Sequence, residues 1–548
     1  MKNYIIRSFL VVGLASLGLV SCQKGNLLSN PNEASTQSTV PVSLIFNRIV
    51  NELYEGGGVL DGISGNQPEI PFSQIMRWNQ YFVSNYSYYW GANAYNWSNT
   101  ATMYSVLKYV NLMESQIPSQ LGTTPNAYSA LAKFFEAYLF IWYTQRVGDI
   151  PMSQAGSTAN LTPAYDTQHD VYKNSLALLD TANTLMAAVV ALHPTAAVTG
   201  DIYGLTNTQW QKVINTYKLR VLISLSKRAV DNADLNIPSQ FATIVNNPSQ
   251  YPIMTGISDN VQYTYNAAYN KYPINPNYTP YDFFESMSAT FLDITTANQD
   301  PRTFIAATPA PDQITGGKQV GDFSAYVGAD VNLSQSTLLT NSGNNHKGEG
   351  MYSFHNYLRY YVPTVSTVSS PTSAEPYIII GYPEMCFNIA EAANRGWLSG
   401  VSDGQWYLKG INASMAVYGL ADGVNIPIGD EYGNPLGTVS ANVSQFLANP
   451  NVAWTGDGTT TGLNQILTQK YVAFWQNSGW EAFYNWRRTG VPTFQQGGSG
   501  IGTSNNMIPI RWQYPTDEQV NNTTHYSAAI ASQYGGTDDI TKPMWLIK

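Results

Sequence analysis

The sequence predicts a mainly α-helical fold carrying a long, irregular, loop-rich face. Two observations predict it. Apolar residues recur at three- and four-residue spacing in several long stretches, as they do on one face of a helix. Between those stretches run segments rich in Asn, Gly, Pro and Tyr, with no helical stripe. The longest are residues 66–97, 251–281, 316–362 and 422–457. Loops of such length are uncommon in compact domains unless they carry function.

From the N terminus, residues 1–21 read as a signal peptide. Lys2 and Arg7 supply its positive start, and residues 9–20 form an apolar run. That run is too short for a membrane helix, which needs about 20 apolar residues. Leu19-Val20-Ser21-Cys22 resembles the lipobox of bacterial lipoproteins, in which the cysteine is lipidated and becomes the first mature residue. The alternative is an ordinary signal peptide with a chance cysteine near its end. The chain has two cysteines, so lipidation of Cys22 leaves only Cys386, a small buried thiol in an apolar stretch. The formal charge is −9, and loss of Lys2 and Arg7 makes it more negative. With no basic run, nucleic acid is not an expected partner. Membrane attachment would come from the lipid, at ~0.8 kcal/mol per buried methylene. Residues 22–40, polar and rich in Ser and Thr, read as a flexible tether.

Three helical stretches follow. Leu131, Phe134, Phe135, Tyr138, Ile141 and Trp142 share one face, and Gly148-Asp149-Ile150-Pro151 stops the helix. Trp210, Val213, Ile214, Tyr217, Val221, Leu222 and Leu225 repeat likewise, with Thr208 as N-cap and Lys227-Arg228 at the C-terminal dipole end. Met385, Ile389, Ala392 and Ala393 form a small-residue face closed by Gly396, with a second helix at 404–418. That pair resembles a tetratricopeptide helical hairpin, without a clean repeat at about 34 residues. Further helices are expected at 42–54, 99–114, 170–191, 462–476 and 480–487.

Catalytic and metal chemistry finds little support. His169, His193, His346, His355 and His525 are scattered, and no HExxH, GxSxG, Walker or GxGxxG pattern occurs. No cofactor and no metal are therefore expected. Asp282 with Glu285, or Asp430 with Glu431, could form a glycosidase pair, but solvated acids are the better reading. Asp422-Gly423 and residues 429–434 carry oxygen ligands suited to calcium without the EF-hand order.

Aromatic composition is more informative. The chain holds 38 Tyr and 13 Trp against 11% charged residues, so its surface is largely neutral polar and aromatic. Such surfaces suit neutral ligands such as sugars, whose apolar faces stack on rings and whose hydroxyls match amides. One cluster holds Tyr86, Tyr88, Tyr89, Trp90, Tyr95 and Trp97 among asparagines. A second holds Tyr263, Tyr265, Tyr269, Tyr272, Tyr278 and Tyr281. A stacking platform with polar handles is expected from Tyr88, Tyr89, Trp90, Tyr95, Trp97, Tyr269, Tyr272 and Tyr278. The competing reading is that these rings pack the loops onto the scaffold.

Several segments, in order, resemble the SusD/RagB family of nutrient-binding outer-membrane lipoproteins. They are Asn30-Pro31-Asn32, Arg77-Trp78-Asn79-Gln80-Tyr81, and Gly148-Asp149-Ile150-Pro151 with Tyr165-Asp166-Thr167-Gln168. Trp210 with Asn215, Lys218 and Arg220 follows, then the helix from Glu384 to Trp397 and the segment from Tyr407 to Met415. Thr468-Gln469-Lys470, Trp486-Arg487-Arg488-Thr489-Gly490 and Arg511-Trp512-Gln513-Tyr514-Pro515 complete the series. Most of these motifs read as scaffold; Arg487 and Arg488 are expected to pack over aromatics and bond backbone or carboxylate.

Length alone allows about two to four domains. The resemblance implies one domain at 41–548, built of tetratricopeptide-like helix pairs with a loop-rich face. It implies no enzyme but a surface lipoprotein that captures oligosaccharide and acts as a lid on a SusC-like, TonB-dependent barrel. Peptide capture by the same lid is the alternative, and a surface glycoside hydrolase the more distant one. Gln23-Lys24-Gly25 lacks the acidic residues usual after the lipid cysteine of surface-exported lipoproteins, so outward display rests on the resemblance. Ligand contacts vary within the family, so the site residues rest on the aromatic argument.

Overall fold

The first helices form in the order α1 (Val42–Glu55), α2 (Gln74–Trp78), α3 (Tyr104–Leu121), α4 (Ala127–Val147), α5 (Gln168–Leu192), α6 (Asn207–Ser224) and α7 (Ile237–Asn246). Strand β1 (Phe82–Ser84) lies between α2 and α3, and β2 (Val261–Tyr263) and β3 (Glu285–Met287) follow α7. Next come α8 (Ala289–Ala297), α9 (Arg302–Ala306), α10 (Pro311–Thr315), α11 (Gln335–Asn341), α12 (Tyr357–Tyr360) and β4 (Tyr377–Ile380). The C-terminal part holds α13 (Tyr382–Asn394), α14 (Asp403–Val417), β5 (Asn425–Gly429), β6 (Pro435–Ser440), α15 (Val443–Ala448) and α16 (Thr460–Ala473). Helices α17 (Glu481–Thr489), α18 (Thr516–Asn521) and α19 (Thr523–Tyr534) end the chain. This computed structural model describes residues 39–55, 69–86, 93–95, 97, 100, 102–157, 159–265, 272–273, 285–345, 348–360, 375–430 and 434–548.

The expected mainly helical architecture is present. Consecutive helices pack on one another from α3 to α7, and α6 also meets α13, which packs on α14 and α16. Residues Val42–Lys548 form one compact unit. The predicted stripe on α4 is too narrow. Ala130, Ala132 and Ala137 on its other faces are fully buried, because neighbouring helices enclose it on several sides. Asn126 caps α4 by accepting from Ser129 N at 3.0 Å. Gly148 ends it at φ 104°, where a Cβ would lie 2.1 Å from Gln533 Oε1. Beyond it, Ile150 bridges to Asp166, joining two of the family-like segments. Asp166 Oδ2 then accepts from Met152 N and Ser153 N at 2.7 and 2.9 Å.

The N-cap of α6 is Thr206, not Thr208. Thr206 and Gln209 form a capping box, which supplies two otherwise orphaned backbone donors with acceptors. Thr208 Oγ1 instead donates to Pro194 O at 2.8 Å. Lys227 and Arg228 are not the end of α6 but lie in a separate 3-10 turn. There both donate to carbonyls at the C terminus, Lys227 to Ile547 O at 2.9 Å and Arg228 to Lys548 O. The α13–α14 pair forms as expected. Gly410 allows the close approach, since a Cβ there would lie 2.7 Å from the Phe387 ring.

The stretch 422–457, expected to be irregular, holds the antiparallel β5–β6 hairpin and α15. Ile426 and Ile428 point inward while Asn425 and Pro427 are exposed, a strand alternation that the proline and flanking glycines conceal in the sequence. Two more antiparallel ladders pair β1 with β3 and β2 with β4.

The family-like charged residues build the core. Arg220 Nε donates to Glu384 Oε1 at 2.7 Å, and its NH2 reaches Ile379 O at 2.7 Å. Arg488 NH2 donates to Glu391 Oε2 at 2.9 Å, with Lys470 Nζ 3.9 Å from the same carboxylate. Burial opposes ionisation of Glu391, but the Arg488 guanidinium, then Arg395 and Lys470, outweigh it and hold its pKa at about 2. Arg487 lies over the Tyr484 ring at 4.5 Å and donates to Gln145 O and Ile510 O, the scaffold role expected for it.

Candidate functional site

The two small ladders bring the flanks of the Tyr/Asn-rich stretches together. β1 precedes residues 87–92, and β3 follows residues 274–284. β2 precedes 266–271, and β4 follows 361–374. At their meeting point lies a cluster of tyrosines. Tyr54, at the end of α1, stacks on Tyr263 of β2 with centroids 3.7 Å apart and planes at 17°. Tyr265 meets Tyr54 and Tyr263 edge-on at 6.3 and 5.5 Å, and its hydroxyl lies 3.4 Å from that of Tyr54. Behind them, Tyr272 stacks on Tyr360 at 6.0 Å and meets Phe72 edge-on.

Tyr54, Tyr263 and Tyr265 are half-buried, so each residue couples a fixed position with some access to solvent. Arg359 and Glu375, close enough to act electrostatically on Tyr272, are paired with each other: Arg359 Nε donates to Glu375 Oε1 at 2.5 Å. A patch of half-buried tyrosines with the neighbouring cation neutralised suits uncharged ligands with apolar faces.

The structure describes three of the eight predicted platform residues and corrects all three. Tyr95, Trp97 and Tyr272 are 3%, 1% and 2% exposed. Trp97 stacks on Trp512 at 4.3 Å and 9°, and meets Phe483, Trp480 and Trp78 edge-on at 4.8, 5.5 and 5.8 Å. Tyr95 donates its hydroxyl to Trp78 O at 3.1 Å. Their rings belong to the core: residues from the C-terminal region enclose Trp97, Trp78 and Trp97 pack on Tyr95, and Phe72, Tyr265 and Tyr360 surround Tyr272. Tyr88, Tyr89, Trp90, Tyr269 and Tyr278 lie outside the described residues, as does Cys22. Tyr263 and Tyr265 belong to the second aromatic cluster in the sequence but carry no mark that separates them from their neighbours. Tyr54 carries no signal at all beyond its place at a helix end.

The described acids among the catalytic and calcium candidates have structural partners. Glu285 lies in the β1–β3 ladder, 3.5 Å from Arg77 Nε, and burial pushes its pKa up to about 7 against the opposing pull of Arg77. Asp282 and Glu431 lie outside the described residues. Asp430 accepts from Asn434 N and Nδ2, both at 2.8 Å. Asp422 Oδ1 accepts from Ser444 N at 2.9 Å near the start of α15. Among the described residues no group of three or more His, Cys, Asp or Glu side chains is placed to hold a metal ion.

The profile of a SusD-like family, described as starch-binding and associating with the outer membrane, matches residues 32–515. A SusD homologue from Bacteroides fragilis is 27% identical with a TM-score of 0.76, covering 93% of this chain and 100% of that one. A second SusD homologue from the same species is 29% identical with a TM-score of 0.72, covering 93% and 99%. An outer-membrane protein of Bacteroides vulgatus, described as involved in nutrient binding, is 27% identical with a TM-score of 0.72, covering 93% and 100%. A search of curated proteins finds no match. The matched span takes in every helix from α1 to α17, and with it the chain belongs to the SusD/RagB family, whose relatives are described as outer-membrane and nutrient-binding proteins.

Proposed function

We propose that this protein is a surface lipoprotein, anchored through Cys22, that captures a neutral oligosaccharide and delivers it as a lid to a SusC-like TonB-dependent barrel. The observation that carries the proposal is the set of half-buried tyrosines, Tyr54, Tyr263 and Tyr265, gathered at the flanks of the Tyr/Asn-rich stretches. Each ring offers a surface for the C–H face of a pyranose, and the asparagines of those stretches match its hydroxyls. Tyr88, Tyr89, Trp90, Tyr269 and Tyr278 are proposed as further contacts from the same stretches. The lipid tether holds the binding face near the membrane and so raises its effective concentration at the barrel mouth. The role is capture rather than hydrolysis, in keeping with the binding function by which the family is described.

Calorimetry of the full-length protein in detergent, against neutral oligosaccharides and peptides, tests this reading. Binding of a glycan, weakened roughly tenfold by Tyr263→Ala through loss of one stacking ring, is expected. Binding of peptides alone would replace the ligand class, and release of shorter sugars would make the protein a hydrolase. Affinity purification of the tagged protein from native outer membranes should bring a TonB-dependent barrel with it. Its absence would remove the lid mechanism.

A further inference from the structure

A groove of about 490 Å³ runs between α8 and α16, within the ~300–1,000 Å³ typical of small-molecule sites. None of its lining residues belongs to the tyrosine cluster. On α16 the lining positions are Thr461, Asn464, Gln465, Thr468 and Gln469, the spacing of one helix face. A face turned toward protein would ordinarily be apolar; this one is neutral and hydrogen-bonding throughout. Across the groove, α8 supplies Asp293, Ile294 and Ala297 and ends in Asn298.

The floor is held rigidly. Gln465 Oε1 accepts from Thr455 Oγ1 at 3.0 Å and Gln465 Nε2 donates to Ala453 O at 2.8 Å. Arg302 NH2 donates to Gln469 Oε1 at 2.5 Å. The groove-facing groups are different. Asn298 is only 5% exposed, yet its carboxamide makes no hydrogen bond to the described residues. Asp293, Asn464 and Thr468 likewise have no side-chain partner among the described residues. Burial and the neighbouring Asp330 carboxylate push the pKa of Asp293 up, which makes it a better hydrogen-bond acceptor. No Lys or Arg lines the groove, so nothing there would neutralise an anionic ligand.

We propose that this groove is a second binding subsite, separate from the tyrosine cluster, for a neutral pyranose unit. Asp293 would accept from two adjacent hydroxyls, and Asn298 and Asn464 would donate to hydroxyl or ring oxygens. Ile294, Ala297 and Pro450 would lie against the C–H face. The proposal rests on the oligosaccharide reading above and extends it to two contact points on one chain.

Calorimetric titration of the full-length protein with short malto-, cello-, xylo- and chito-oligosaccharides tests it. Three proteins are compared: wild type, the double variant Asp293→Asn with Asn464→Ala, and the double variant Tyr263→Ala with Tyr265→Ala. Wild type should take two equivalents of one of these sugars. The groove variant should lose one equivalent, its affinity there falling at least roughly tenfold with the loss of a charged and a neutral hydrogen bond. The tyrosine variant should retain the groove site. A single wild-type site that ignores the groove substitutions and disappears in the tyrosine variant overturns the groove while leaving the main reading intact. No binding of any sugar to wild type overturns both. The urea midpoint of the groove variant should not fall below that of wild type, since neither side chain has a hydrogen-bond partner among the described residues and loss of the Asp293 charge relieves its repulsion from Asp330.

Discussion

Replacing Trp97 with Ala separates a core role from a ligand-binding role. The ring is 1% exposed and surrounded by Trp512, Phe483, Trp480 and Trp78, all within 5.8 Å between centroids. An aromatic side chain of this size buries up to about 250 Å², which at ~25 cal/mol per Å² corresponds to about 6 kcal/mol. That is an upper bound, because the unfolded chain already buries part of this area and Ala retains its Cβ. Measured Trp and Phe truncations in cores fall at about 3–5 kcal/mol, so ~4 kcal/mol is expected. With an m-value of at least ~3 kcal/mol per molar urea, the midpoint should fall by about 1.3 M or less. Trp97→Phe keeps an aromatic partner for Trp512 and should cost about half as much. Oligosaccharide affinity of the folded fraction should change little. An unchanged midpoint combined with lost affinity would refute the argument and return Trp97 to the ligand.

Three other outcomes follow from the scaffold. Glu391→Gln leaves Arg488, Arg395 and Lys470 without their buried counter-charge and should destabilise by about 3–5 kcal/mol in urea unfolding at neutral pH. The folded pKa of Glu391 is depressed to about 2, so its contribution is present above the ordinary glutamate value and is lost as pH falls toward 2. Acid unfolding of the variant should therefore be less steep than that of wild type. Glu285 has the opposite sign: burial raises its folded pKa to about 7, so its contribution is present below the ordinary value and is lost as pH rises through 7. Glu285→Gln should thus gain stability relative to wild type at pH 8 compared with pH 4.5, and the reverse trend in urea midpoints would contradict the assignment. Thr206→Ala removes the capping-box hydroxyl of α6 and should cost about 1 kcal/mol, whereas Thr208→Ala should cost less.

The helices were legible because their apolar positions repeat. Leu131 to Trp142 and Trp210 to Leu225 carry that signal without help from the rest of the chain. The choice between Thr206 and Thr208 was not legible, since each has Gln three residues on, at 209 and 211, and only the backbone conformation selects Thr206 as the cap. The aromatic site was not legible either. Trp97 beside asparagines looks the same whether its ring meets a sugar or Trp512, and the partner that decides the matter comes from the far end of the chain. Tyr54 and Tyr263 show the converse: one ends a helix and the other sits in a three-residue strand, and only tertiary pairing stacks them. Local pattern encodes what a segment is, while these contacts depend on which segments meet.

The segments that identify the family also hold the candidate site in place. In Arg77-Trp78-Asn79-Gln80-Tyr81, Asn79 Nδ2 donates to Gly479 O at 2.8 Å and Tyr81 OH to Tyr471 O at 2.7 Å. Trp78 stacks on Trp480 at 5.5 Å, and Gln80 Oε1 accepts from Thr290 Oγ1 at 2.7 Å. These bonds tie the motif to α8, α16 and the start of α17, and the next residue begins β1. Glu384 likewise fixes Arg220 next to β4 through Ile379 O. The motif residues thus position both ladders from behind, without reaching the half-buried tyrosines. Substitutions in the motifs break this buried frame. The frame is thus set by residues other than the half-buried tyrosines, so the motifs that reveal the family carry no information about which ligand meets those rings.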